Sequence, residues 1–157
     1  MDSILANIFL KIQERLTEKV PELSFIDLDK GQLDSPEIDP AVTFPCALIN
    51  LDETDYSDEG ENSQVGESAV LIRLGISSSQ VENVTDYYNL EHKVNKSLHG
   101  WSDSQCFTPL MRRKVSKEKR NDDIWVRVIR YEFSFRDSTG IEGGTSVSRP
   151  GLELELD

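Results

Sequence analysis

DIWVRVIRYEFSFR, residues 123–136, is the stretch of sequence that decides the fold. Its β-branched and aromatic side chains, with charges set between them, predict one long strand. One face would carry Trp125, Arg127, Ile129, Tyr131, Phe133 and Phe135, and the other Ile124, Val126, Val128, Arg130, Glu132, Ser134 and Arg136. The second half alternates apolar and polar residues, whereas the first half is apolar on both faces. We therefore expect a central strand whose outer face is partly covered by a helix or a second subunit.

Apolar runs upstream predict the strands that accompany it. FPCALINL (Phe44–Leu51) and SAVLIRLGI (Ser68–Ile76) are the clearest, and the long acidic loop between them suits an antiparallel pair. Leu23–Leu28 predicts a short strand. Cys106–Lys119 predicts a further extended segment, weakened by its basic residues, and a turn at residues 120–122 joins it to the long strand.

Two amphipathic helices are predicted from apolar residues at helical spacing. The first spans about Ser3–Val20 and is stopped by Pro21. The second spans about Thr85–His99, and residues 29–43 form a polar loop expected to contribute nothing to the core. The residues predicted to be buried together between the helices and the sheet are Ile8, Ile12, Leu16, Leu90, Val94 and Leu98.

This order of elements, α-β-β-β-α-β-β, predicts an α+β fold with a mostly antiparallel sheet and two helices packed on one face. The chain has 157 residues, 37% of them apolar, which suffices for one domain with its own core. We predict a single domain over residues 1–136 and a flexible tail, rich in Gly, Ser and Thr, over residues 137–157. No apolar run reaches about 18 residues, so no membrane span is expected. Cys46 and Cys106 are expected to be buried thiols in a reducing compartment and not a disulfide.

The net charge of −12 is unevenly distributed. Residues 22–67 contain 13 acids and one base, a balance of −12, whereas residues 112–130 contain eight bases and three acids, a balance of +5. The overall sign disfavours general nucleic-acid binding, and no direct contact with nucleic acid is expected. The segregation predicts a molecule with a negative side and a positive side.

No pattern of residues predicts a catalytic, cofactor or metal site. Asp55 begins a calcium-loop-like spacing, but the twelfth place is Gly66 where a closing acid is needed, so a solvated acidic hairpin is the better interpretation. His92, His99 and Cys106 are near in sequence without the spacing of a zinc or nucleophile motif. We therefore expect a protein that is not an enzyme.

The basic run from Arg112 to Arg120 has three interpretations. It is a solvated hairpin that protects a sheet edge, or a surface for the acidic loop of a neighbouring copy, and nucleic-acid contact ranks below both. The residues of the predicted interface are Asp52, Glu53, Asp55, Asp58, Glu59, Glu61, Arg112, Arg113, Lys114, Lys117, Lys119, Arg120 and Trp125.

The order of elements resembles a known family over residues 4–136. The resemblance rests on FPCALINL (Phe44–Leu51), AVLIRLGI (Ala69–Ile76), LEHKVNKSLHG (Leu90–Gly100) and YEFSF (Tyr131–Phe135), which follow a short N-terminal helix. This pattern resembles the small tail-terminator and tail-completion proteins of long-tailed bacteriophages and prophages, including the Mu-like type.

The resemblance implies a structural protein that forms a ring, often hexameric, at the end of the phage tail tube. It implies tail-tube and connector proteins as partners besides other copies of the chain. It also implies assembly in the host cytoplasm followed by incorporation in the virion. The alternative is an acidic adaptor or inhibitor whose loop, Asp52–Glu67, occupies a basic protein partner.

Overall fold

The computed structural model describes residues 3–34, 36–103 and 106–138. Most of the predicted flexible tail, from residue 139 onward, lies outside the described residues. In chain order the elements are α1 (Ile4–Lys19), β1 (Phe25–Leu28), β2 (Cys46–Leu51), β3 (Asp55–Asp58), β4 (Gln64–Ser77), a 3₁₀ turn (Ser78–Gln80), α2 (Thr85–Leu98), β5 (Met111–Lys117) and β6 (Ile124–Asp137).

The six strands form one sheet in the order β1-β2-β4-β6-β5, with β3 also paired to β4. β4 and β6 pair along their whole length, from Gln64 opposite Asp137 to Ser77 opposite Ile124. Since β6 occupies one side of β4 throughout, β3 lies on the other side, beyond the end of β2. β1 is parallel to β2 and every other pair is antiparallel. The predicted α+β class with a mostly antiparallel sheet is confirmed.

Both helices pack on one face of this sheet, as predicted. α1 begins where the Ser3 hydroxyl accepts a hydrogen bond from the amide of Ala6, 2.9 Å away, which satisfies a free donor of the first turn. Its apolar stripe meets that of α2 over the central strands. The core on this face includes the six residues predicted for it, Ile8, Ile12, Leu16, Leu90, Val94 and Leu98.

The opposite face has a second, smaller core, which was not predicted from the sequence. Leu33 and Val42, from the segment predicted to be a polar loop, are buried with Cys46, Leu48 and Val126. The prediction that residues 29–43 contribute nothing to the core is therefore wrong. On the apolar outer face of β6, Val126 is covered by this loop segment and not by a helix.

The acidic segment between β2 and β4 is more ordered than predicted. Residues 55–58 form β3, which pairs antiparallel with Gln64–Glu67 of β4, so the acidic loop is a hairpin closed by a short turn. Strands rather than helices flank it, in agreement with the interpretation of an acidic hairpin. The predicted extended segment 106–119 contains a shorter strand, β5, whose register with β6 shifts between Arg112 and Lys114.

Candidate functional site

The acidic and basic segments of the predicted interface lie on opposite edges of one sheet. β5 is the edge strand on the β6 side, and β3 is an edge strand on the β2 side of β4. β1 forms the rest of that second edge. The distance between the two charged segments follows from the strand order, because β6 and β4 lie between them. We define the basic edge as β5 and the acidic edge as β3 with its turn, residues 55–63.

The acidic edge holds part of its charge in ion pairs within the chain. Asp52, just before it, accepts a hydrogen bond from Arg130 at 2.6 Å, and this contact lowers the pKa of the Asp52 carboxyl. Arg136 likewise contacts Glu59 and lowers its pKa. The remaining four acids of the prediction are exposed at this end of the sheet: Glu53, Asp55, Asp58 and Glu61.

The basic edge is largely free of ion pairs. Arg113 has a contact of 3.4 Å with Glu132 on the neighbouring strand, and both side chains are about half exposed. Within the described part of the chain, Arg112, Lys114 and Lys117 have no salt bridge, and all three are exposed. Like charges at this density repel one another, so the edge favours a negatively charged neighbour.

Arg120, predicted to belong to this basic surface, instead holds the fold together. Its guanidinium lies 2.7 Å from Asp122 and 3.1 Å from Glu118, and it donates a hydrogen bond of 2.6 Å to the carbonyl of Leu33. The side chain is only 13% exposed, and the Asp122 carboxylate raises its pKa further above its usual value. Arg120 therefore ties the segment that covers the second core to the turn between β5 and β6.

Trp125 also has its contacts within the chain. Its ring lies 4.4 Å from that of Tyr87 and 5.5 Å from that of Tyr88, between centroids, and the Arg127 guanidinium lies 5.5 Å from its centroid. Arg127 in turn donates a 2.6 Å hydrogen bond to Glu91 on α2. α2 therefore packs on Trp125, which was predicted to lie in an interface between copies.

A charged cluster on the outer face was not found from the sequence. Arg73 of β4 lies 2.8 Å from Glu118, 2.9 Å from Asp34 and 3.3 Å from Asp29. Burial opposes the charge of Arg73, yet the nearby carboxylates outweigh it and raise the guanidinium pKa above its usual value. The available signal was one arginine inside the apolar run SAVLIRLGI, because a charge in a central strand needs partners.

The two histidines and the two cysteines have structural surroundings. Cys106, the cysteine near His99 in sequence, is partly buried against the core beneath the helices. Nδ1 of His99 accepts a hydrogen bond from the Arg112 amide at 3.1 Å, and His92 is exposed on α2. Cys46 is fully buried, and this burial raises the pKa of its thiol to about 11, which disfavours the reactive thiolate. No group of three His, Cys, Asp or Glu side chains suited to a metal ion occurs among the residues that the structure describes.

No protein-family model matches the sequence, and no curated protein matches it. Among solved structures, the chain is similar to one from "Virion of native gene transfer agent (GTA) particle", with 11% sequence identity and a TM-score of 0.43. The similarity covers 85% of this chain and 90% of that one. Within the described residues, neither helix is long and apolar enough to cross a membrane.

Proposed function

We propose that the protein is a structural subunit of a phage-type virion, of the tail-terminator or tail-completion kind, which acts by assembling into a ring. The partners are other copies of the chain and the tail-tube and connector proteins at the head–tail junction. Assembly takes place in the host cytoplasm, and the subunit then remains in the virion. The resemblance in element order over residues 4–136 motivates this choice of family.

The observation that carries the proposal is the placement of opposite charges on opposite edges of one sheet. A chain that joins copies through two different, complementary surfaces makes a head-to-tail contact, and such contacts generate rings when the rotation closes. A two-fold dimer would instead need one surface that is complementary to itself. The acidic edge and the basic edge fit the first arrangement, because each repels its own kind.

We propose further that the protein works without catalysis. The ionisable groups with the strongest perturbation, Arg73, Cys46 and Tyr131, are held in the core or in ion pairs that join segments of the fold. Tyr131, for example, donates a 3.0 Å hydrogen bond to the side chain of Asn95 on α2, and burial raises its pKa. Such contacts support packing and position no group for a substrate.

The mass of the particle in solution tests this function. Light scattering of the full chain at rising concentration should show association into a species of defined size at low salt. Because the exposed charges of the two edges are screened over about 8–10 Å at ordinary ionic strength, the association should weaken as salt is added. A chain that stays monomeric both alone and with the isolated tail tube would contradict the proposal.

One observation favours a second candidate, an acidic adaptor or inhibitor. The exposed acids Asp55, Asp58 and Glu61 lie on the hairpin at one corner of the sheet, with Glu53 just before it, where a basic protein has access to them. Complementary charge of this kind increases the rate of association with a partner. A stable monomer that binds a basic protein through this hairpin would favour this candidate over the ring.

A further inference from the structure

We propose that β5 of one copy pairs with β3 of the next through backbone hydrogen bonds, so that the sheet continues from copy to copy. This inference rests on the proposed function and names the contact by which the ring forms. It differs from attraction between charged surfaces, because it assigns the affinity to strand pairing and leaves only the choice of the two edges to the charges.

Among the residues that the structure describes, the backbone groups on the outer side of β5 from Val115 to Lys117 have no hydrogen-bond partner. The amide of Glu118 donates to the carbonyl of Val126 at 3.0 Å, so Glu118 faces β6. In an antiparallel ladder successive residues alternate between facing the partner strand and facing away from it. Ser116 therefore faces β6 as well, whereas the amides and carbonyls of Val115 and Lys117 point outward. At the start of the strand the edge is already occupied, since His99 accepts from the Arg112 amide.

β3 presents the same kind of edge. The amide of Glu59 donates to the carbonyl of Ser63 at 2.8 Å, which orients Glu59 toward β4. By the same alternation Ser57 faces β4, and the backbone groups of Tyr56 and Asp58 point away from the sheet. Each edge thus offers two residues with outward amides and carbonyls, spaced as a partner strand requires.

The third edge strand, β1, is closed by side chains. Within β1, the carbonyl of Ile26 accepts a hydrogen bond from the side-chain amide of Gln13, and the carbonyl of Leu28 accepts one from the side-chain amide of Gln32, both at 2.9 Å. Just before β1, the carbonyl of Ser24 accepts a hydrogen bond from the Thr43 hydroxyl at 3.2 Å. Covering an edge in this way prevents strand addition. β1 is protected by side chains of its own chain. Within the described residues, the outward groups of Tyr56 and Asp58 on β3 and of Val115 and Lys117 on β5 have no such cover, so these two edges are the ones available for pairing.

Charge decides which open edges pair. Two β5 strands would bring Lys114 and Lys117 of one copy against the same residues of another, and two β3 strands would do so with Asp55 and Asp58. Like charges placed directly across a strand pair are destabilising, and opposite charges are favourable. The charges that protect each edge from a copy of itself therefore allow the combination of β5 with β3.

Strand direction supports this pairing. β5 and β6, β6 and β4, and β4 and β3 are all antiparallel, so β5 and β3 of one copy run in opposite directions. A neighbour in the same orientation then presents β3 antiparallel to β5. Matching the outward residues places Tyr56 opposite Lys117, Asp58 opposite Val115 and Ser57 opposite Ser116. The opposite charges then meet diagonally, because Lys117 lies two residues along from Val115 and within reach of Asp58.

The two edges lie at different heights along the sheet. β6 serves as the common reference. Ser57 pairs with Val65 of β4, which pairs with Arg136 of β6, whereas Ser116 pairs with Val128 of β6, eight residues before Arg136. A paired neighbour is therefore displaced along the strands by about 26 Å, at roughly 3.3 Å per residue. Strands in a ring built this way run obliquely to its axis, as do those of closed barrels.

Cysteine cross-linking tests the geometry. Ser57 and Ser116 are both exposed, and directly opposed residues of paired strands lie within the Cα separation that a disulfide spans. In a Cys106→Ser background, the variants Ser57→Cys and Ser116→Cys are prepared separately with tags of different mass, mixed and oxidised. We expect the mixed dimer only, and the variant carrying both cysteines should give a covalent ladder. Ser79→Cys, also exposed but on the 3₁₀ turn, replaces Ser57→Cys as the control and should give no mixed dimer.

A proline variant tests the backbone contact without relying on the register. The Lys117 amide points outward, so Lys117→Pro removes no hydrogen bond of the isolated sheet but blocks pairing on that side. We expect association at least about tenfold weaker than for Lys117→Ala, which loses the same charge and keeps the amide. Unchanged melting temperatures of both variants would show that the fold is intact.

The outcomes separate this inference from the proposed function. An oligomer that persists in Lys117→Pro and gives no mixed disulfide overturns the strand pairing and leaves ring assembly in place. Dimers between two copies of the same single variant overturn the head-to-tail pairing. A parent protein that is monomeric at every concentration, with or without tail tube, overturns both.

Discussion

At Gly66 the missing side chain lets the ring of Phe135 lie against the backbone of β4. A Cβ at this position would be 2.5 Å from Cζ of that ring and under 3.0 Å from both Cε atoms, so the ring would have to move. Phe135 is buried and lies at the edge of the main core, next to Tyr56 of β3, whose ring centroid is 6.0 Å away. One glycine therefore determines how the acidic hairpin is attached to the core.

We predict that Gly66→Ala lowers the free energy of unfolding by about 1–3 kcal/mol, the usual effect of forcing a packed side chain out of place. Glu67→Ala, at the exposed neighbouring position on the same strand, should change it by no more than about 0.5 kcal/mol. Denaturant unfolding of the two variants measures the difference. Equal stabilities would show that Phe135 does not pack on Gly66.

On the scale of elements, α1 presents a matched pair of leucines for testing the helix packing. Leu16 is fully buried against the sheet and α2, whereas Leu10 is 49% exposed on the same helix. Truncation removes the same atoms at both positions. Only at Leu16 does it leave a cavity in the core.

Leu16→Ala should therefore cost about 2–5 kcal/mol of stability, with Leu90→Ala on α2 in the same range. Leu10→Ala should cost less than about 1 kcal/mol, because about half of the Leu10 surface is already in water and its truncation opens no cavity in the core. Chemical denaturation of the three variants provides the measurement. A Leu16→Ala protein as stable as Leu10→Ala would be inconsistent with α1 packing on this face of the sheet.

Arg73 is the contact through which the segment covering the second core is held to the sheet. Its partners are Asp29 and Asp34, which follow β1, and Glu118, which follows β5. The Arg73 side chain is only 13% exposed. Removing the arginine leaves Asp29 and Glu118 partly buried without their main positive partner.

We predict that Arg73→Met destabilises the protein by about 3 kcal/mol, because carboxylates lose their partner in a partly buried site. Arg113→Met removes a single exposed contact of 3.4 Å and should cost less than about 1 kcal/mol. Thermal and denaturant unfolding compare the two. Similar losses for both variants would mean that the cluster contributes no more than an ordinary surface pair.

The elements that could be predicted from sequence are those whose apolar periodicity is strong. The alternation in YEFSF and the fourfold spacing of α1 describe positions that face a core on one side, and the structure confirms both. β3 has the sequence DYSD and no apolar alternation, so its strand conformation depends on pairing with β4. Leu33 and Val42 were missed because they are isolated among polar residues and prolines, and their burial results from the shape of a loop.

On the scale of the whole molecule, the segregation of charge could be read from the sequence, but its placement could not. Counting residues separates an acidic segment from a basic one. Their position on opposite edges depends on the order of the strands, which long-range pairing determines. The same pairing brings Arg130 to Asp52 and Arg136 to Glu59, so the charges of two acids of the predicted interface are paired within the chain.

Reversal of charge on each edge tests the assembly of whole copies. In Arg112→Glu/Lys114→Glu/Lys117→Glu both edges are acidic, and in Asp55→Lys/Asp58→Lys/Glu61→Lys both are basic. These six side chains have no salt bridge within the described residues, so the reversals should leave the fold largely unchanged. Each variant alone should fail to associate, because all its open edges carry the same sign.

The two variants mixed together should associate again, since every acidic edge then meets a basic one in an alternating arrangement. A chain carrying all six reversals should also recover association, at least in part, because its two edges have merely exchanged sign. Both recoveries should weaken as salt rises, in parallel with the parent protein. Light scattering measures each case. If association recovers in the mixture but not in the sixfold variant, the charges attract one another without setting the direction of the contact. An oligomer that is unaffected by the reversal of Arg112, Lys114 and Lys117 would exclude the basic edge from the contact.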